Sequence, residues 1–209
     1  MPDPDGRIRL AILISGRGAN MEAIVRAAEA PDYPARVVVV VSSRADAPGL
    51  GRAGDVPTVV VARDAFASRA AFEAELGRVL AAHRVEAVAL AGFMRVLSAD
   101  FVRRFEGRMV NIHPSLLPRH PGLDTHARAL AAGDREAGAT VHLVTPEVDA
   151  GPILAQARVP VRPGDTAETL AARVLEAELA LYPRAIADWL AHWPGSGGAG
   201  GAGIGEDRV

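Results

Sequence analysis

The sequence predicts an α/β domain: a mostly parallel, twisted sheet flanked by helices, with an antiparallel strand pair toward the C-terminal part. Three observations carry this. Short apolar runs alternate with helical patterns through the first half of the chain, the signature of right-handed strand–helix–strand crossovers. One run, "RVVVVVSS" (36–43), is almost wholly β-branched, as suits a strand buried on both faces. Two alternating runs, 139–145 and 152–161, are separated only by "PEVDAG", too short a link for a helical crossover, so the pair is antiparallel.

The elements follow in order. "RIRLAILIS" (7–15) is a short apolar strand, and "SGRGAN" leads from it into the helical spacing of "MEAIVRAAEA". "PTVVVA" (57–62) reads as a further buried strand after 36–43. Residues 69–83 are helical, with Phe72, Leu76, Val79 and Leu80 on one stripe. "VEAVALAGF" (85–93) is a strand, and Ser98 is a plausible cap for a helix over 98–105. "RMVNIH" is the next strand, and 125–133 is a short helix ending at Gly133. After the antiparallel pair, 165–193 reads as a long helix capped by Asp165 or Thr166, with Pro183 expected to kink or divide it. The Gly-rich stretch 194–209 has low complexity and is expected to be a disordered tail, leaving 7–193 as a single domain.

Composition narrows the function. The chain has 209 residues, 49% of them apolar and 23% charged, a globular balance. The net charge of −2 draws the protein toward neither nucleic acid nor an acidic membrane. With no cysteine, disulfide and thiolate chemistry are excluded. No apolar run approaches the ~20 residues that span a bilayer, and "MPDPDGR" lacks the features of a signal peptide. A soluble cytoplasmic protein is expected. There is no lysine, so every non-histidine cation is arginine, and asparagine occurs only at positions 20 and 111.

Both asparagines fall in candidate sites. Gly16, Gly18 and the small Ala19 between a strand and a helix let backbone N–H groups converge on an anion at the helix's positive end. The spacing is not G-x-G-x-x-G, so a single phosphate suits it better than a dinucleotide. In "MVNIHPSLLP", Asn111 and His113 alternate and therefore share one side at the carboxyl end of a strand, where open α/β sheets bind ligands. An asparagine amide and an imidazole there can stabilise a developing oxyanion. Asp149, in the turn of "VDAGPI", would favour the charged form of a neighbouring imidazole. His142 is expected to be structural or partly exposed, and His83 and His192 to be solvated near helix ends. His120 and His126 receive no role. No metal-binding spacing, nucleophile elbow or Walker loop is present.

Together "LISGRGANMEAI", "LAGFMRVLS", "NIHPSLLPRHPGLDTHARAL" and "GATVHLVTPEVDAGPILAQARVPV" resemble, in order, the signatures of the phosphoribosylglycinamide formyltransferase family, over about residues 8 to 190. The resemblance implies a Rossmann-like formyltransferase domain over 7–193. It implies formyl transfer from 10-formyltetrahydrofolate, as co-substrate, to glycinamide ribonucleotide in purine biosynthesis. Asn111, His113 and Asp149 would be the catalytic trio. Gly18, Ala19, Asn20 and Glu178 would hold the ribonucleotide. Arg69, Met94, Arg95, Val96 and Leu97 would contact the formyl-folate, with Thr145, Pro146, Glu147 and Val148 of the loop that ends at Asp149. Ala19 stands where the family's loop commonly carries serine, so one hydroxyl donor is lost while the backbone N–H remains.

The same trio would also serve a 10-formyltetrahydrofolate hydrolase, with water as acceptor. The Gly-rich loop favours a phosphorylated acceptor, and a first strand near Arg7 leaves no room for that family's N-terminal regulatory domain. A tRNA-directed member would carry a further C-terminal domain in place of a Gly-rich tail. A catalytically dead binding module would not need the intact trio. A monomer or homodimer is expected, with no metal, nucleic acid or membrane partner.

Overall fold

A computed structural model describes residues 5–193. Seven strands form one sheet in the order β3-β2-β1-β4-β5-β6-β7. β1 (Ile8–Ile14), β2 (Ala35–Ser42), β3 (Thr58–Val60), β4 (Ala87–Leu90) and β5 (Met109–His113) run parallel. β6 (Glu136–Leu143) pairs antiparallel with β5, and β7 (Ile153–Pro160) antiparallel with β6. The predicted class holds, and the antiparallel part includes the β5–β6 seam as well as the β6–β7 pair. The expected tail, 194–209, lies outside the described residues.

The pleat divides the core. Leu10, Ile12 and Ile14 of β1 join Met21 and Ile24 of helix α1 (Ala19–Ala27) and Leu170, Val174 and Ile186 of α5 (Ala167–Ala191) on one face. Ala11 and Leu13 point to the other face, against Phe72 and Leu76 of α2 (Arg69–Ala82) and Phe101 of α3 (Ala99–Arg104). A strand covered on both sides is apolar along its covered length, as β1 is from Leu10 to Ile14 and β2 from Val37 to Val41.

Several local expectations hold. Ser98 caps α3 by accepting from Phe101 N–H, and Thr166 caps α5 in a reciprocal pair with Thr169. Short α4 (Thr125–Ala131) ends just before Gly133, whose φ of +68° suits a residue without a side chain. Two expectations fail. "PTVVVA" is not a buried strand: β3 is a three-residue edge with Thr58 and Val60 exposed, because nothing pairs beyond it. Pro183 does not divide α5, which runs unbroken through it. Tyr182, Ala185 and Ile186 around it are buried, and the Pro183 carbonyl accepts from Tyr33 Oη at 2.8 Å, so packing offsets the local penalty.

The chain leaves the sheet centre in opposite directions after β1 and β4, which opens a crevice between their carboxyl ends. Tyr182 ties α5 to that end of the sheet: fully buried, its hydroxyl lies 3.0 Å from Leu90 O and 3.2 Å from Val110 O. Tyr182→Phe leaves these carbonyls without that donor and is expected to cost about 1–3 kcal/mol, read as a lower Tm in thermal denaturation. An unchanged Tm would show that the hydroxyl does not hold the layers together.

Candidate active site

The β5–β6 ladder builds the centre of the site. Asn111 lies opposite His142 and His113 opposite Thr140, and residues directly opposed in an antiparallel pair share a face. Asn111 Nδ2 donates to His142 Nε2 at 3.1 Å, while His142 Nδ1 donates to Leu143 O at 2.9 Å. The His142 ring therefore carries its proton on Nδ1. Burial holds its pKa below the ordinary histidine value, against smaller opposing effects of the Leu143 carbonyl and Asp149, which keeps it neutral.

Asp149 reaches the same point from the β6–β7 turn, with φ of +55°, an uncommon conformation for a side-chain-bearing residue. Its Oδ2 lies 3.4 Å from His113 Nδ1 and its Oδ1 3.7 Å from His142 Nε2. The Gly122 N–H donates to Oδ2 at 2.8 Å. His113 Nε2 faces the backbone carbonyl of His120 at 3.1 Å. Both ring nitrogens of His113 thus face oxygen acceptors. The side chains of His113, Asp149 and His142 are each less than a tenth exposed. A buried imidazole held between a carboxylate and a carbonyl, with a fixed amide next to it, is suited to stabilising negative charge on a substrate oxygen. Asn111 has one amide hydrogen committed to His142 and a second left for such an oxygen.

The structure thus brings Asn111, His113 and Asp149 together, and adds His142. Of the expectation that His142 is structural or partly exposed, partial exposure is corrected: the ring is buried, hydrogen-bonded to Asn111 and 3.7 Å from Asp149. The alternation in "ATVHLVT" carried a signal for it, but only pairing of that strand with β5 puts His142 beside Asn111. His83 and His192 stand at the ends of α2 and α5, where their Nδ1 atoms meet the carbonyls of Val79 and Asp188. His126 is half-buried; its Nε2 has no hydrogen-bond partner, and burial, with His113 nearby, lowers its pKa.

A second group sits at the start of α1. Gly18 is its N-cap, with φ of +76° and no side-chain cap. A Cβ on Gly18 would lie 2.7 Å from Gly49 Cα, so the loop is pressed backbone to backbone. Asn20 Nδ2 donates to Glu178 Oε2 at 2.7 Å, which joins the loop to α5. Asn20 Oδ1 is buried without a partner.

A third group lies on the other side of the crevice. Glu73 binds Ser98 through N–H at 2.6 Å and Oγ at 2.5 Å, and Arg69 Nε lies 3.9 Å from Glu73. The segment 94–97 is pinned by Met94 N–H to Ser15 Oγ at 2.8 Å. Met94, Val96 and Val148 are among the few large apolar side chains left exposed, and Arg95 is exposed with them. Leu97, in contrast, is buried in the core, so only its backbone is available to a ligand. Thr145, Pro146 and Glu147 form the approach to Asp149, with Thr145 Oγ1 donating to Glu147 O at 3.0 Å.

The formyl transferase family matches residues 8–186. The phosphoribosylglycinamide formyltransferase of Escherichia coli is 45% identical over 186 residues, covering 88% of this chain and 87% of that protein. The trifunctional purine biosynthetic protein adenosine-3 of Drosophila melanogaster is 49% identical over 185 residues, but the chain spans only 14% of that longer protein's length. The crystal structure of the phosphoribosylglycinamide formyltransferase from Brucella melitensis superposes with a TM-score of 0.85 at 54% identity, covering 90% of this chain and 97% of that one. Among the described residues, no helix is long and apolar enough to cross a membrane.

Glu178 yields a pH-dependent test. Burial raises its pKa above the ordinary glutamate value, with the Asn20 amide opposing. A raised folded-state pKa means stability that is complete below the unfolded value and lost as pH rises through the folded one. Glu178→Gln removes that loss. Its Tm relative to the parent is expected to rise as pH increases above the ordinary glutamate value of about 4.3; a difference flat with pH would contradict the perturbation.

Proposed function

The chain belongs to the formyl transferase family, and we propose that its single domain, 7–193, transfers a formyl group from 10-formyltetrahydrofolate to the primary amine of glycinamide ribonucleotide in purine biosynthesis. The observation that carries the reading is the convergence of Asn111, His113 and Asp149 at the carboxyl end of β5, in a chain 45% identical to a phosphoribosylglycinamide formyltransferase along nearly the whole of both proteins.

The amine nitrogen attacks the formyl carbon, and the carbonyl electron pair moves onto oxygen. Asn111 donates its second amide hydrogen to that oxyanion. The His113 cation, held by Asp149, lowers the energy of the same charge through a dry environment. The carbon–N10 bond then breaks, the carbonyl reforms, and the proton lost by the attacking amine passes to N10. No covalent enzyme intermediate and no metal enter this sequence. The groups act by position and charge, which is where such acyl transfers gain most of their rate.

The other groups fit the two substrates. The uncapped α1 N-terminus at Gly18, Ala19 and Asn20 suits the ribonucleotide phosphate. The unpartnered Asn20 Oδ1 and the Glu178 carboxylate suit its hydroxyl and N–H donors. Met94 and Val96, exposed beside Arg95, and the 145–148 loop with exposed Val148 suit a flat heterocycle with an anionic tail, for which Arg69 is a further cation. Leu97 serves through its backbone.

Mixing the protein with 10-formyltetrahydrofolate, with and without glycinamide ribonucleotide, tests the reaction. Deformylated folate is expected only with the amine present; formate released without it would establish hydrolysis instead. Asn111→Ala and His113→Ala are each expected to lower turnover by at least ~10²-fold. Asp149→Asn is expected to lower kcat as well, and near-normal rates in these variants would refute the assignment.

A further inference from the structure

The turn between β5 and α4 carries titratable side chains that formyl transfer, as written above, leaves without a task. His120 has φ of +53°, in the left-handed region that a non-glycine residue occupies only when its surroundings hold it there. Its ring is the holding point: Nε2 lies 2.7 Å from Asp134 Oδ2. The Asp134 side chain is only 9% exposed and also pairs with Arg119. Asp134 follows Gly133 at the end of α4, and its N–H donates to Ala129 O at 3.1 Å. The ring of His120 is thus fastened to the C-terminus of a helix.

The rest of the turn is laced to the sheet. Thr140 Oγ1 donates to Ser115 O at 2.7 Å and accepts from Leu117 N–H at 3.0 Å. Gln156 Nε2 donates to Leu117 O at 2.9 Å, and Ser115 Oγ donates to Arg119 O at 2.7 Å. The chain therefore reaches His120 with little freedom. What it delivers there is a backbone carbonyl to His113 Nε2, and two residues later the Gly122 N–H to Asp149 Oδ2. One short segment thus holds the imidazole at its far nitrogen and the carboxylate at Oδ2, the oxygen that faces His113 Nδ1.

We propose that His120 and Asp134 are positioning residues: their contact fixes the 120–122 segment, and that segment sets the rotation of the His113 ring against Asp149. The inference rests on the reading of His113 as a catalytic group. Neither residue touches the reacting atoms. The loss of their contact leaves the His120 carbonyl free to leave the left-handed conformation, and His113 then loses the acceptor that aims it.

The test combines steady-state kinetics with NMR of the His113 ring nitrogens on the full chain. His120→Ala is expected to lower kcat about tenfold, the scale of a misplaced reacting geometry, while KM for either substrate stays within about twofold of the parent. The His113 Nε2 resonance is expected to shift. His120→Asn is expected to recover most of kcat, because asparagine tolerates the left-handed conformation and its amide can donate to Asp134. Parent kcat and an unmoved His113 resonance in His120→Ala, with His113→Ala inactive, would overturn the positioning role alone. Full turnover by His113→Ala would overturn the underlying reading instead. Should His120→Ala fail to fold, Asp134→Asn, of equal size, is judged by the same two readouts. A lower Tm with kcat and resonance unchanged would mark a merely structural contact and sink the proposal.

Discussion

The antiparallel seam between β5 and β6 is the constraint on which the rest of the site depends. Four parallel-paired strands deliver the chain to β5, and the next strand then returns against it. That reversal sets Asn111 against His142 and His113 against Thr140. A slip of one residue would turn every side chain of β6 to the other face, and Asn111 would lose the ring that orients its amide. The seam also serves the turn above it, because Thr140 is the residue to which the 115–117 backbone is tied. Two glycines let the neighbouring pair close: a Cβ on Gly138 would lie 1.9 Å from Ala157 O, and one on Gly151 1.8 Å from Leu143 O.

Electrostatics follow from that geometry. A histidine pair and a carboxylate would be costly to bury together if both rings were charged. Burial keeps His142 neutral, so it accepts from Asn111 and adds no cation. His113 and Asp149 face each other at 3.4 Å, and each has a backbone partner from the 120–122 segment. Left-handed backbone at His120, Asp124 and Asp149 is concentrated around this point, as strain at functional sites commonly is.

The two sides of the crevice are linked through α5. Glu178 holds the Gly18–Asn20 loop through Asn20, and one turn later Tyr182 reaches the carbonyls of Leu90 and Val110. Those carbonyls precede the 91–97 segment and Asn111. The same helix therefore sets the distance between the Gly18–Asn20 loop, the 91–97 segment and β5. Pro183 is accommodated within it because this packing outweighs a local break.

Local pattern was enough for much of this. The β-branched run of β2, the apolar stripe of α2, the Ser98 and Thr166 caps and the Gly18 loop follow from side-chain shape and backbone chemistry within a few residues, and all were legible. So was the suspicion that Asn111 and His113 share a face, since alternation along one strand requires it. What tertiary structure alone decided lies across long separations. Val60 looked buried until β3 proved to be the last strand in the sheet. His142 looked incidental until the ladder placed it opposite Asn111, and His120 had no role until Asp134 was found against its ring. Sequence period reports which way a side chain points from its own element. Which partner meets it is set by register and packing summed over the whole sheet, and no short stretch contains that sum.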